Sequence, residues 1–160
     1  MRGPAAAGTK ADNRNGAMSF ELHPRIKADT FFVGDLPLCR VLLMRDARFP
    51  WLSLVPRRTG LTEIHDLPAS ERAILMEEAS GAGEKLKKLT AAKKINIGAL
   101  GNIVPQLHVH VVARFEGDEA WPGPVWGSAG QPEVYAPEKL RGLLAGLSRA
   151  LDVSGEEQNR

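Results

Sequence analysis

Residues 101–115 read GNIVPQLHVHVVARF, and within them Gln106, His108 and His110 alternate with Leu107, Val109 and Val111. Alternation with a period of two is the pattern of a strand that buries one face and presents the other. Side chains two apart on a strand point the same way, roughly 6.5 to 7 Å apart, so the three polar residues form one row able to address a single phosphate-sized group. Three readings of that row compete. Two histidines on a solvated sheet face is the plainest. It is weakened by the surroundings, because Pro105, glycines at 98 and 101 and the amides Asn96 and Asn102 gather polar, flexible backbone beside the row. A zinc or iron site needs a third and usually a fourth ligand, and His23, His65, Cys39 and scattered carboxylates offer no diagnostic spacing. Nucleophilic attack on phosphorus is the third. A neutral imidazole, with an ordinary pKa of about 6.5, can form a phosphoramidate if its second nitrogen is held by an acceptor and donors surround the phosphoryl oxygens.

Placing that row requires a folded domain, and 160 residues with 43% hydrophobic and 25% charged side chains suit one domain with a single core. The net charge of +2 does not call for nucleic acid and is compatible with a small anionic ligand. No stretch approaches the length of an apolar membrane span and no secretory signal is evident, so a soluble cytoplasmic protein is expected. The single cysteine, Cys39 in LCRVLLM, reads as a buried hydrophobe in a reducing compartment. Residues 1–17 are small and polar and are expected to be a disordered leader, followed by a domain over 18–152 and a polar tail over 153–160.

SFELHPRIKADT is expected to be a short helix or irregular segment carrying His23. Strands near 31–33 and 38–45 flank the turn signal GDLP, and a third β-rich run covers 48–57. A long helix is expected after Pro68, with Leu75, Ala79, Ala82, Leu86 and Leu89 on its buried face and a kink or break at Gly81 and Gly83. Strands near 94–99 and 105–114 follow. A last helix starts near Pro137, with Leu140, Leu143, Leu144, Leu147 and Leu151 as its stripe. Strands, a helix, two strands and a helix give an α+β fold with a mainly antiparallel five-stranded sheet.

QLHVHVV resembles the signature of the histidine triad (HIT) family, in which three histidines alternate with apolar residues. The resemblance extends to the strand ending at RD, the strand WLSLVPR, the long helix, INIGALGN and the WPG loop. It implies a HIT-like fold and a nucleotidyl hydrolase or transferase, often homodimeric, acting on substrates such as dinucleoside polyphosphates (as diadenosine polyphosphate hydrolases do) or adenosine phosphoramidates. No cofactor and no metal are implied. By position His108 matches the nucleophile and His110 the histidine that donates to the phosphate or bridging oxygen. Asn96 matches a residue near the phosphate, Asp46 the residue that holds the ribose hydroxyls, and Gly101 and Asn102 a substrate-contacting loop. The departure is Gln106, which stands where the first histidine is expected. Its main-chain carbonyl can still orient His108, whereas a general-acid role of the side chain cannot be carried over.

Two further readings are kept beside this one: a nucleotide-binding protein with little turnover, and a metal-dependent enzyme using His108 and His110 as ligands. Trp121 and Trp126 more often cap a core than line a base pocket. His65 suits helix-entry packing, and Arg114 steers phosphate only if the strand stays regular to that point.

Overall fold

The computed structural model describes residues 19–154. The expected leader and residues 155–160 of the expected tail lie outside the described residues. The chain forms α1 (Pro24–Ala28), β1 (Thr30–Asp35), β2 (Cys39–Met44), β3 (Trp51–Pro56), α2 (Ala69–Thr90), β4 (Lys94–Gly98), β5 (Val109–Arg114) and α3 (Pro137–Leu151), with a short 3-10 turn at Ile64–Asp66. The strands make one antiparallel sheet in the order β1-β2-β3-β5-β4, the α+β arrangement expected. Short links explain the first three strands. The β1–β2 turn is closed by the Leu36 N–H donating to the Cys39 carbonyl at 2.8 Å, with Pro37 between them.

Cross-strand partners share a face, so the register sorts the side chains. Phe31, Leu43, Leu52, Val111 and Ile97 form one row, and Phe32, Leu42, Ser53, His110 and Gly98 form the adjacent row on the opposite face. The first face is the main core. There Val41, Leu43, Leu52, Leu54, Val109 and Val111 pack against Leu75, Ala79, Ala82 and Leu86 of α2 and Leu147 and Leu151 of α3.

The structure revises three expectations about these elements. First, α2 runs through Gly81 and Gly83 without a break. At Gly81 there is open space, but a Cβ at Gly83 would lie 3.2 Å from Ile95 Cγ2 and 3.5 Å from Val111 Cγ1. Gly83 is therefore where the helix backbone comes down onto β4 and β5, not a hinge. A Gly83→Leu substitution is expected to lift α2 from the sheet and cost about 1–3 kcal/mol through overpacking, measurable by urea denaturation, while Gly81→Leu is tolerated. Second, Leu89 is 42% exposed. It reaches toward α3, where a Cβ at Gly146 would lie 3.1 Å from its Cδ1. Third, β5 begins at Val109 rather than near residue 105. Pro105 has no N–H to offer, and the Leu107 N–H donates to the Leu61 carbonyl at 2.9 Å, outside the sheet. At the C-terminal end Val153, placed in the tail by the sequence pattern, packs on the core. A Cβ at Gly34 would collide with it at 2.3 Å, so β1 carries glycine there.

Candidate active site

The second sheet face carries both histidines of the candidate site. Phe20, Leu22 and Ile26 cover Phe32, Leu42 and Val55 together with Val104. Elsewhere Phe49, Trp51 and Val112 are covered by Ala120, Val125 and Trp126 of the loop after β5. Between these two apolar clusters lies a cavity of about 260 Å³, lined by His108 and His110, Trp51 and Trp126, Met44, Arg25 and residues 100–104. A smaller pocket of about 70 Å³ shares both histidines and adds Asp29, Thr30 and Ser53. A larger cavity of about 500 Å³ lies elsewhere, lined by Leu89, Thr90, Tyr135, Lys139 and Leu143. It holds no histidine, and the Arg48 guanidinium on its wall is taken up by Asp46 and Glu119.

His108 precedes the first ladder residue of β5, and its Nδ1 lies 2.7 Å from the main-chain carbonyl of Gln106. A carbonyl only accepts, so Nδ1 carries a ring proton, and in the neutral imidazole the lone pair lies on Nε2. His110, one strand step further on the same face, stands 4.7 Å from His108 between ring centroids, edge to face. Its own Nδ1 accepts the Trp51 indole N–H at 2.9 Å. That bond sets the opposite tautomer, with the proton on Nε2. Burial, and secondarily the neighbouring His108, pushes the His110 pKa down to about 4.

A stability consequence follows from that shift. The unfolded chain takes up a proton at this imidazole below about pH 6.5, whereas the folded chain resists it until about pH 4. The contribution is therefore fully present above pH 6.5 and lost as pH falls toward 4, on the order of 3 kcal/mol. Denaturation series at pH 7 and 4.5 are expected to show a smaller acid loss in a His110→Phe variant than in the natural chain.

Trp126 completes the wall, 5.8 Å from His110 and perpendicular to Trp51 at 6.3 Å. Gly98 makes room for it. Gly98 is the register partner of His110, and a Cβ there would lie 3.0 Å from the Trp126 ring. Gly101 turns the following loop at φ 68°, a left-handed conformation that glycine adopts freely.

Of the residues singled out from sequence, His108, His110, Gly101 and Asn102 meet around this cavity. Three others are engaged elsewhere. The Gln106 side chain does not join a polar row with the histidines. Its Oε1 accepts the His23 N–H at 2.8 Å and its Nε2 donates to the Glu21 carbonyl at 2.9 Å, which fastens the segment leading into α1. Asp46 is buried in a bidentate pair with Arg48 at 2.7 Å and also accepts the Glu133 N–H at 3.2 Å. Burial alone would raise its pKa, but Arg48 and these N–H groups hold it below the usual carboxylate range. Asn96 Oδ1 accepts an N–H of the Arg114 guanidinium at 2.8 Å. Neither Asp46 nor Asn96 lines the histidine cavity. Arg114 itself is only 1% exposed and locked to Asp118, so it is structural rather than a phosphate guide. His65 is exposed in the 3-10 turn, away from the cavity.

Sequence reasoning missed Trp51, Arg25 and Met44. Trp51 and Ser53 alternate with Leu52 and Leu54 just as the histidines alternate with valines, and that shared parity was the available signal. Arg25 reaches the cavity only through the fastened α1, which no local pattern discloses. Among the described residues no group of three or more His, Cys, Asp or Glu side chains is arranged to hold a metal. No helix among them is long and apolar enough to cross a membrane.

A five-stranded antiparallel sheet with two helices on one face and paired histidines on the other defines a histidine triad architecture. The HIT domain model matches residues 25–117, and the chain belongs to that family. It is similar to a histidine triad protein of Bradyrhizobium japonicum, at 48% identity over 83% of this chain and 98% of that one, with a TM-score of 0.81. A histidine triad protein of Sinorhizobium meliloti 1021 is 47% identical over 84% and 99%, TM-score 0.80. One of Marinobacter aquaeolei VT8 is 45% identical over 84% and 97%, TM-score 0.80. No curated protein matches the chain.

Proposed function

We propose that the chain hydrolyses or transfers a nucleoside phosphate through a transient nucleotidyl group on His108. The observation that carries this reading is the 2.7 Å contact between His108 Nδ1 and the Gln106 carbonyl, which in the neutral imidazole assigns the lone pair to Nε2, beside a walled cavity. Attack by that nitrogen forms a P–N bond as the leaving group departs, and water or another acceptor then takes the nucleotidyl group. The His110 Nε2–H, Arg25 and the loop containing Gly101 and Asn102 surround the place where phosphoryl charge develops. Leu100, Ile103, Val104 and Trp126 supply apolar surface for a base. Gln106 acts through its backbone, as an orienting residue. Dinucleoside polyphosphates and adenosine phosphoramidates are the substrate classes to try.

A metal-dependent alternative has less support, because His110 accepts on Nδ1 and so carries its proton on Nε2, and among the described residues no group of three His, Cys, Asp or Glu side chains is arranged to hold a metal. Homodimerisation is part of the reading. It is supported by β4 lying at the sheet edge with Ile97 45% exposed, a strand edge that a second copy could cover. A cytoplasmic location fits the lone Cys39, which is buried, with its thiol pKa raised by that burial and by Glu78.

Purified full-length protein is expected to cleave adenylated compounds with no dependence on added metal and undiminished by EDTA. Binding of nucleotide without cleavage would reduce the reading to the nucleotide-binding alternative, and a strict metal requirement would replace it with the metal-dependent one.

A further inference from the structure

The site differs from a general-acid site in one respect that bears on its substrate. Cleaving a P–N bond to an amine requires a proton on the departing nitrogen, whereas a phosphate or other acidic oxygen leaves as an anion with the bonding pair and needs none. Each group beside His108 is unsuited to deliver that proton. Gln106 does not titrate, and its amide is turned away onto Glu21 and His23. His110 receives the Trp51 N–H on Nδ1, so a second ring proton would set N–H against N–H, and surrendering its Nε2 proton would leave an imidazolate. Arg25 offers a guanidinium, a hydrogen-bond donor rather than a general acid. Asp29, at the smaller pocket, is paired with Arg25 at 3.6 Å. Thr30, Ser53, Asn102, Trp126 and Met44, the remaining polar, aromatic or sulfur-bearing neighbours, are not acids.

We propose, resting on the nucleophilic reading of His108, that Trp51 fixes His110 as a neutral hydrogen-bond donor and so restricts the site to nucleotides whose leaving group departs as an unprotonated oxyanion. Nucleoside phosphoanhydrides and mixed anhydrides are then the substrate class, and phosphoramidates of amines are poor substrates. The His108 Nε2 pair forms the P–N bond, the P–O bond breaks, and its electrons remain on the leaving oxygen. Water then attacks phosphorus, the P–N pair returns to Nε2, and the water proton passes to solvent. Trp51 is a positioning residue, acting on the reaction only through His110.

The test uses full-length protein with aryl esters of AMP, from p-nitrophenyl to phenyl, and with adenosine 5′-phosphoramidate. A steep fall in kcat/KM as the phenol becomes less acidic is expected, with the phosphoramidate slower than the p-nitrophenyl ester by about 100-fold or more, the usual worth of a missing general acid. Trp51→Phe keeps a ring beside His110 but frees Nδ1, and is expected to narrow that gap about tenfold or more and add an acid limb to the pH profile. Imidazole 15N shifts of the natural protein are expected to show His110 as the Nε2–H tautomer at neutral pH, a readout independent of how Trp51→Phe folds. Equal turnover of ester and phosphoramidate, or a protonated or Nδ1–H His110, would overturn the inference while leaving nucleotidyl transfer intact. Failure to cleave even the p-nitrophenyl ester would overturn the nucleophilic reading itself, and this inference with it.

Discussion

A His108→Ala variant is expected to lose nucleotide cleavage by at least about 1000-fold while melting within a few degrees of the natural protein. The activity loss is large because no neighbouring group can replace Nε2. Arg25 is cationic, the His110 Nδ1 is occupied by Trp51 and its Nε2 carries a proton. The stability cost is small because His108 is only half-buried, so water can take its place on the Gln106 carbonyl. Stopped assays of cleavage alongside thermal unfolding separate the two effects. A His108→Gly variant rescued by added imidazole would show that the missing element is the nucleophile alone.

The largest stability effect is expected at Asp118. Arg114 is almost wholly enclosed, and its Nε and Nη2 donate to the Asp118 carboxylate at 2.8 and 2.9 Å. The same carboxylate accepts the N–H groups of Phe115 and Ala120, at 3.0 Å each. Asp118→Ala leaves a buried guanidinium with Asn96 as its only remaining side-chain hydrogen-bond partner among the described residues. A loss of about 3–5 kcal/mol is expected, or a fall of roughly 10–20 °C in Tm for a domain of this size. The double variant Arg114→Met, Asp118→Ala is expected to recover part of it, since the penalty arises from the uncompensated charge more than from the lost attraction. Burial raises the Asp118 pKa, but Arg114 and the two N–H groups outweigh it and hold it low. This pair therefore stabilises above the ordinary carboxylate pKa, and its contribution is lost as pH falls through the depressed value.

The parts of the site legible in the sequence are those set by local parity. Alternation of Leu107, Val109 and Val111 with His108 and His110 was sufficient to put the valines in the core and the imidazoles together on the other face. The same local logic locates the two long helices, α2 and α3, and the turn between β1 and β2. What stayed hidden depends on partners far along the chain. Local sequence makes Gln106 a third member of the polar row because nothing nearby shows that His23, 83 residues away, donates its N–H to the amide oxygen. Asp46 looked available because Glu133, 87 residues away, and the side chain of Arg48 close over it only in the folded protein. Trp51 went unnoticed because its role exists only once β3 lies beside β5 and brings its indole to His110, 59 residues away. The glycines were ambiguous for another reason. Propensity marks Gly83 as a weak point in a helix, while its purpose is the close approach to Ile95 and Val111.

The proposed reaction requires His108 Nε2 to become nucleotidylated. Rapid acid-free quenching of the full-length protein with the p-nitrophenyl ester of AMP, followed by peptide mapping by mass spectrometry, measures this directly. An adenylyl group is expected on the peptide containing His108, formed in a burst with p-nitrophenolate and absent in His108→Ala. Full turnover with no adduct on that peptide, or an adduct on another residue, would contradict it.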